Sequence, residues 1–133
     1  MRESRNPKIK QTSDFQIVVK DVFVKDEEIQ QYFKVADYAF ALYNKHFGMS
    51  AIMVRAAAAQ KPLISSNFGL IGKIVEENEL GITIDNDLKE KLVMLLNNVI
   101  TIGNKEKMRV FAELNQADNY AKVILEHFKS VSR

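Results

Sequence analysis

Two loops of the sequence carry residues suited to binding an anion. The first, residues 43–50, ends in Ser50, a favoured N-cap for a helix that begins at Ala51. The second, residues 65–69, places two serines between a short strand and another helix. Backbone N–H groups at a helix start can hold a phosphate group. The two loops therefore predict a site for a phosphate-bearing ligand.

Side chains that could support other chemistry are few. The chain has no cysteine, which excludes disulfides, thiolate nucleophiles and cysteine-based metal sites. His46 and His127 are far apart and have no acid cluster beside them, so no metal cofactor is expected. No histidine–acid pair accompanies Ser65 or Ser66, which argues against a serine hydrolase.

Apolar periodicity predicts the elements that must position the two loops. Strands are predicted at residues 15–19, 22–24, 38–43, 63–66 and 82–84. Helices are predicted at residues 26–35, 51–60, 88–98, about 105–114 and about 119–131, with another after Gly69 that ends at Leu80-Gly81. This alternation predicts an α/β fold, an open parallel sheet flanked by helices. Ligands of such sheets bind at the carboxyl ends of the strands, where both loops lie.

Finer expectations concern burial and helix ends. Residues 38–43, YAFALY, are apolar throughout, as in a strand buried on both faces. The side chains expected to point inward from the fourth helix are Leu92, Leu95, Leu96 and Val99. Three acids at residues 26–28 suit the positive end of a helix dipole. The four alanines at residues 56–59 are expected to let their helix pack closely on the sheet.

Length, charge and hydropathy set the broad class of the protein. The 133 residues suffice for one domain, predicted at residues 14–133, after a flexible basic segment at residues 1–13. The net charge of +2 gives no broadly basic surface for nucleic acid. No apolar run approaches the about 20 residues that cross a bilayer, and the amino end does not read as a signal peptide. A cytoplasmic location is expected.

Three segments in succession carry a more specific pattern: FVKDEEIQQYFKVADYAFALY, SAIMVRAAAAQKPLISSNFGLIGKIVEENELGITI and DLKEKLVMLLNNV. Their order resembles the carboxyl-terminal, donor-binding domain of GT-B glycosyltransferases, in the group called glycosyl transferases group 1. Residues 55–64 match the family pattern EA-x-A-x-G-K-P-V-I, and Gly69, Gly72, Val75 and Gly81 match the pattern that follows. The resemblance covers residues 15–130 and implies a Rossmann-like sheet, here a truncated GT-B carboxyl-terminal domain.

The resemblance also implies a ligand and a site. It implies a nucleotide-sugar donor whose hexosyl group passes to an acceptor, without a metal cofactor. The donor-binding positions that it implies are His46, Gly48, Met49, Ser50, Ala51 and Arg55. Phe23 and Val24 are implied to line the base pocket through backbone groups.

One departure from the family concerns its pair of glutamates, E-x7-E, of which one lies near the transferred sugar and the other contacts the ribose. Here the second position is Arg55 and the first is Phe47, or Lys45 if the alignment is shifted by two residues to match the Phe-Gly. No glutamate occurs between Glu28 and Glu76. A guanidinium cannot accept a hydrogen bond from a ribose hydroxyl. We therefore expect Arg55 to bind a phosphate instead.

A second departure concerns the parts of the enzyme that these residues do not include. The family's acceptor domain and the first strand–helix–strand unit of its donor domain are missing from the pattern. Because transfer needs an acceptor held against the donor, we expect no catalysis by this chain alone. The missing strands are expected to leave a sheet edge open to self-association. The alternative hypothesis is a non-catalytic α/β module for interaction or dimerisation.

Overall fold

The computed structural model describes residues 8–11, 16–45 and 48–131. In chain order the elements are β1 Lys8–Gln11, β2 Gln16–Val19, α1 Asp26–Val35, β3 Ala39–Ala41, α2 Ala51–Ala58, β4 Leu63–Ser66, α3 Gly69–Glu77, β5 Gly81–Ile84, α4 Leu88–Leu96, α5 Lys105–Leu114 and α6 Ala117–Val131. The strands β3, β4 and β5 form a parallel sheet in that order, and β1 pairs with β2 in a separate antiparallel sheet. The predicted α/β architecture, a Rossmann-like parallel sheet flanked by helices, is confirmed.

The register of the parallel sheet depends on one glycine. Ala39 aligns with Leu63, and Leu63 aligns with Gly81. A Cβ atom at Gly81 would lie 1.8 Å from the carbonyl oxygen of Leu63. Only glycine therefore lets the backbone of β5 approach β4 this closely.

The helices α2, α3 and α4 end with the same capping motif. After α2, the N–H groups of Gln60 and Lys61 donate to the carbonyls of Ala57 and Ala56, both at 2.9 Å. Gln60 adopts the left-handed conformation, with a φ of 54°. This Schellman arrangement satisfies carbonyls that a helix end leaves free. It ends α2 two residues before the predicted end at residue 60.

One face of the parallel sheet, which we call the closed face, is covered by α2, α3 and α5. Its core is a continuous cluster of buried residues: Ala39, Ala41, Met53, Ala56, Ala57, Leu63, Ile71, Val75, Leu80, Met108, Phe111 and Ala112. Two of the four alanines of α2 belong to it, while Ala58 is exposed. Small side chains at this contact let the helix lie close to the sheet, as the sequence predicted.

The opposite face, which we call the open face, carries a smaller core under α4. There Leu95 packs against Ile64 and Ile84. The strand β3 is one of the two edge strands of the sheet, and Phe40 at its centre is 51% exposed. The prediction that residues 38–43 are buried on both faces is therefore wrong, because α4 does not extend over β3.

Other predictions about single elements are also wrong. Residues 8–11 form a strand rather than a loop, since they pair with β2. Residues 22–24 form no strand, and Phe23 is 95% exposed, because no strand of the described chain pairs with them. Leu96 and Val99 are exposed rather than inward, because α4 ends at Leu96 and the chain then turns.

Candidate functional site

The carboxyl ends of the three parallel strands meet at one edge of the sheet. The loops that follow them border an open cavity of about 430 Å³, which we call the carboxyl-edge cavity. It is lined by residues 42–45 after β3, residues 66–68 after β4, and residues 84, 85 and 88 after β5. The N–H of Asn67 donates to the carbonyl of Ile84 at 2.9 Å and joins two of these loops. The cavity lies where an open α/β sheet binds its ligands.

Ser50 caps α2 as the sequence predicted. Its side-chain oxygen accepts a hydrogen bond from the N–H of Ile52 at 3.3 Å. The hydroxyls of Ser50 and Tyr43 are also hydrogen-bonded, at 2.9 Å. Because Tyr43 lines the carboxyl-edge cavity, this contact ties the start of α2 to the cavity wall.

Arg55 forms an ion pair that the sequence did not indicate. Its Nη2 lies 2.9 Å from Oδ1 of Asp26, in the first turn of α1, and its side chain is 31% exposed. Arg55 is five residues into α2, which places it about 7 Å along the helix axis from Ser50. A carboxylate thus already engages this guanidinium, and its contact with a phosphate stays a prediction.

The remaining predicted donor-binding residues surround the start of α2. Gly48, Met49 and Ala51 are exposed, and none of them lines the carboxyl-edge cavity. His46 lies outside the described residues. The structure brings Met49 and Ala51 next to the Ser50 cap, as their order in the chain requires. Their contacts with a donor stay a prediction.

The predicted base-pocket residues lie in the segment that leads into α1. Phe23 is almost fully exposed and Val24 is half-buried. Asp26 follows them, and its ion pair with Arg55 holds the start of α1 against α2. The structure therefore places this segment near α2 but not among the residues of the carboxyl-edge cavity.

Sequence reasoning missed most polar residues of the cavity. Asn44, Lys45, Asn67 and Asp85 line it, and Lys45 adopts a left-handed backbone with a φ of 57°. What these residues share is their place in the sequence, since each follows the end of a parallel strand by one to four residues. Two of the loops were singled out from the sequence, but the loop that holds Asp85 was not.

Hydrogen bonds hold the third loop of the cavity in place. The N–H of Asp85 donates to Oδ1 of Asp87 at 3.2 Å. Lys91 pairs with the same carboxylate at 2.8 Å and donates to the carbonyl of Thr83 at 2.7 Å. The hydrogen bond from Lys91 holds the pKa of Asp87 below its ordinary value. The carboxylate of Asp87 is therefore occupied within the protein, and Asp85 is the acid that lines the cavity.

Neither a metal-binding cluster nor a membrane-spanning helix is found in the described ranges. Among residues 8–11, 16–45 and 48–131, no group of three or more histidine, cysteine, aspartate or glutamate side chains is arranged to hold a metal ion. In the same ranges, no helix has the length and apolar character to span a membrane.

Comparison with known proteins identifies the family. The family model described as glycosyl transferases group 1 matches residues 18–122, which is more than half of the 133-residue chain. The match includes α1, the whole parallel sheet and every residue that lines the carboxyl-edge cavity. No curated protein and no solved structure matches the chain significantly. The chain belongs to the glycosyl transferases group 1 family.

Proposed function

We propose that this chain is the nucleotide-sugar-binding half of a GT-B glycosyltransferase that transfers a hexosyl group to an acceptor. The observation that carries the proposal is the carboxyl-edge cavity, at the ends of all three parallel strands of a group 1 domain. Its volume, about 430 Å³, falls within the range of small-molecule sites. The donor is proposed to lie in this cavity and along the start of α2.

The lining of the cavity suits the parts of a nucleotide sugar. Leu42, Phe68 and Leu88 present apolar surface to a flat base or a sugar ring. Among the lining residues that the structure describes, Lys45 is the one cation, and its ammonium group suits a diphosphate. Asp85 is the one carboxylate in that described lining and can accept hydrogen bonds from sugar hydroxyls. A ligand with an apolar ring, negative charge and hydroxyl groups would use all three features.

Residues outside the cavity extend the proposed site. Gly48, Met49, Ser50 and Ala51 are proposed to contact the sugar, since the loop that holds them begins at the cavity wall. Phe23 and Val24 are proposed to contact the base, and the ion pair between Asp26 and Arg55 supports this by anchoring their segment to α2.

The proposed binding uses no metal ion. Positive charge comes instead from Lys45 and from the N–H groups at the starts of α2 and α3. We also propose that the isolated chain does not transfer sugar. Transfer requires an acceptor positioned against the donor, and the described residues form a single parallel sheet.

Titration calorimetry with uridine and guanosine diphosphates tests the proposal, with a chelator present throughout. We expect one of the nucleotides to bind, and Lys45→Ala to weaken its binding about 10-fold or more, as loss of a charge-assisted hydrogen bond does. Lys73→Ala is the matched control, because Lys73 is exposed on α3 and does not line the cavity. Absence of binding by both nucleotides would overturn the proposal.

The alternative function is a non-catalytic interaction module of the same fold. The observation that favours it is Arg55, which stands where the family has a glutamate and is paired with Asp26. The same titration separates the two hypotheses, because an interaction module would bind neither nucleotide in any variant.

The titration of Arg55→Glu defines the role of this arginine. If Arg55 binds a phosphate, the substitution weakens diphosphate binding. If the site instead lacks only the family's glutamate, the substitution strengthens binding through the ribose. The double variant Arg55→Glu, Asp26→Lys restores an ion pair with reversed charges. Comparing its affinity with that of Arg55→Glu separates the effect of losing the ion pair from the effect of losing a contact with the ligand. Unchanged affinity in both variants would show that Arg55 serves only the contact with α1.

A further inference from the structure

The strand β3 leaves one edge of the parallel sheet without a partner strand in the described chain. The N–H of Ala39 donates inward, to the carbonyl of Pro62 at 3.0 Å. Because backbone groups alternate along a strand, the N–H and C=O of Phe40 point to the outer edge. The flanking residues Tyr38 and Leu42 share this direction. The outer edge therefore presents three residues with hydrogen-bonding groups directed away from the sheet.

This edge lacks two of the features that keep exposed edges from pairing, charged side chains and proline. Natural edge strands are protected by charged side chains, proline or a bulge. Residues 38–43, YAFALY, contain no charged residue and no proline. Phe40 and Leu42 are both exposed on the open face. An apolar edge without charge or proline leaves its backbone groups open to pairing with another strand.

The pattern of side-chain sizes points to a particular partner. From Tyr38 to Leu42 the side chains run large, small, large, small, large, with Phe40 at the centre. Antiparallel pairing about a two-fold axis at Phe40 sets Ala39 opposite Ala41 of a second copy. It also sets Tyr38 opposite Leu42, and Phe40 opposite itself. This is the self-complementarity that a two-fold interface requires.

We propose that two copies of this chain associate through antiparallel pairing of β3 with β3, which joins their parallel sheets into one of six strands. Phe40 then exchanges both of its backbone hydrogen bonds with Phe40 of the second copy. The pairs formed by Tyr38 and Leu42 on either side do the same. All three residues with outward-directed backbone groups thus gain partners, and their large side chains meet on the open face.

Light scattering coupled to size-exclusion chromatography tests the association. We expect the chain to elute with twice its mass of 15.2 kDa. Phe40→Lys places a charge at the two-fold axis and is expected to yield the monomer mass. Phe23→Lys is the matched control, because it changes an exposed phenylalanine away from β3 and should leave the dimer intact. Circular dichroism checks that both variants are folded. A monomeric wild-type chain, or a dimer that persists in Phe40→Lys, would overturn the proposal.

Disulfide trapping tests the register independently. The chain has no cysteine, so Phe40→Cys introduces a single thiol. In the proposed register the two Cα atoms at position 40 lie about 5.5 Å apart, a separation that a disulfide bridges. Mild oxidation should therefore convert most of Phe40→Cys to a covalent dimer and leave Phe23→Cys largely monomeric. Equal cross-linking of the two variants would contradict the pairing.

Discussion

The two faces of the parallel sheet are covered to different extents. On the closed face, α2, α3 and α5 bury Ala39, Ala41 and Leu63. On the open face, α4 covers Ile64 and Ile84 but leaves Phe40 half exposed. The faces differ although they belong to the same short strands. Burial in this domain is thus decided by which helices lie over a strand and not by the apolar character of the strand.

The order of the strands explains this asymmetry. The connections from β3 to β4 and from β4 to β5 each move the chain by one strand in the same direction. Right-handed connections of this kind place both helices, α2 and α3, on the same face. The helix α4, which follows the last strand, lies on the other face. One helix of nine residues does not cover three strands, and β3 is the strand whose open face α4 does not cover.

Truncation of a core residue on the closed face should give the largest effect. Met53 is 1% exposed within the closed-face core, and Met53→Ala should lower the free energy of unfolding by about 2–5 kcal/mol. Leu96 on α4 is 78% exposed, and Leu96→Ala should change it by no more than about 0.5 kcal/mol. Urea denaturation of both variants measures the difference. Similar losses would show that the two helices are equally buried.

A buried serine places a polar side chain inside the parallel sheet, in the central strand β4. Ser65 is fully buried in β4, and its hydroxyl has no hydrogen-bond partner among the described residues. Ser65→Ala removes this unpaired group and should raise the free energy of unfolding by about 1 kcal/mol. Thr83→Val is the contrasting variant, because the Thr83 hydroxyl donates to Glu76 at 2.6 Å and its removal should be destabilising. A loss of stability in both variants would mean that the Ser65 hydroxyl has a partner in solution.

The smallest expected effect on stability concerns Glu79, an exposed residue between α3 and α5. Glu79 accepts hydrogen bonds from Lys107 and Asn104, which link the end of α3 to α5. The bond from Lys107 lowers the pKa of Glu79 below its ordinary value of 4.5. A carboxyl group with a lowered folded-state pKa stabilises the protein above its unfolded-state pKa, and this contribution disappears as the pH falls through the folded-state value.

Denaturation as a function of pH measures this contribution. The wild type should be slightly more stable than Glu79→Gln near neutral pH. The gap should close as the pH falls below 4.5. A gap that is constant down to strongly acidic pH would assign the effect to packing rather than to charge.

Local sequence signals predicted most elements well. The bounds of α1, β4 and α5 agree with their predictions, because apolar periodicity and capping residues act over a few neighbouring positions. The prediction of a strand at residues 22–24 was wrong because it, too, relied on neighbouring positions alone. The side chains of this segment favour extended structure, but a strand also needs a partner to accept its hydrogen bonds.

The candidate site was predictable in position and less so in composition. Ser50 was identified as a cap from the sequence, and the carboxyl edge followed from the strand–helix alternation. Asp85 was not singled out, and Lys45 was named only as an alternative position of the family's first glutamate, because lysine and aspartate are ordinary residues of exposed loops. The partner of Arg55, Asp26, lies 29 residues away and has no local signal. Its identification required the packing of α1 against α2.

The sequence by itself determined the alternation of strands and helices, the cap at Ser50 and the pattern of the glycosyl transferases group 1 family. These features depend on short-range spacing, which the order of residues contains directly. Only the tertiary structure decided which face of the sheet is closed, which strands lie at its edges and which residues line the carboxyl-edge cavity. Those outcomes depend on how helices from distant parts of the chain lie over the strands, and burial follows from that arrangement.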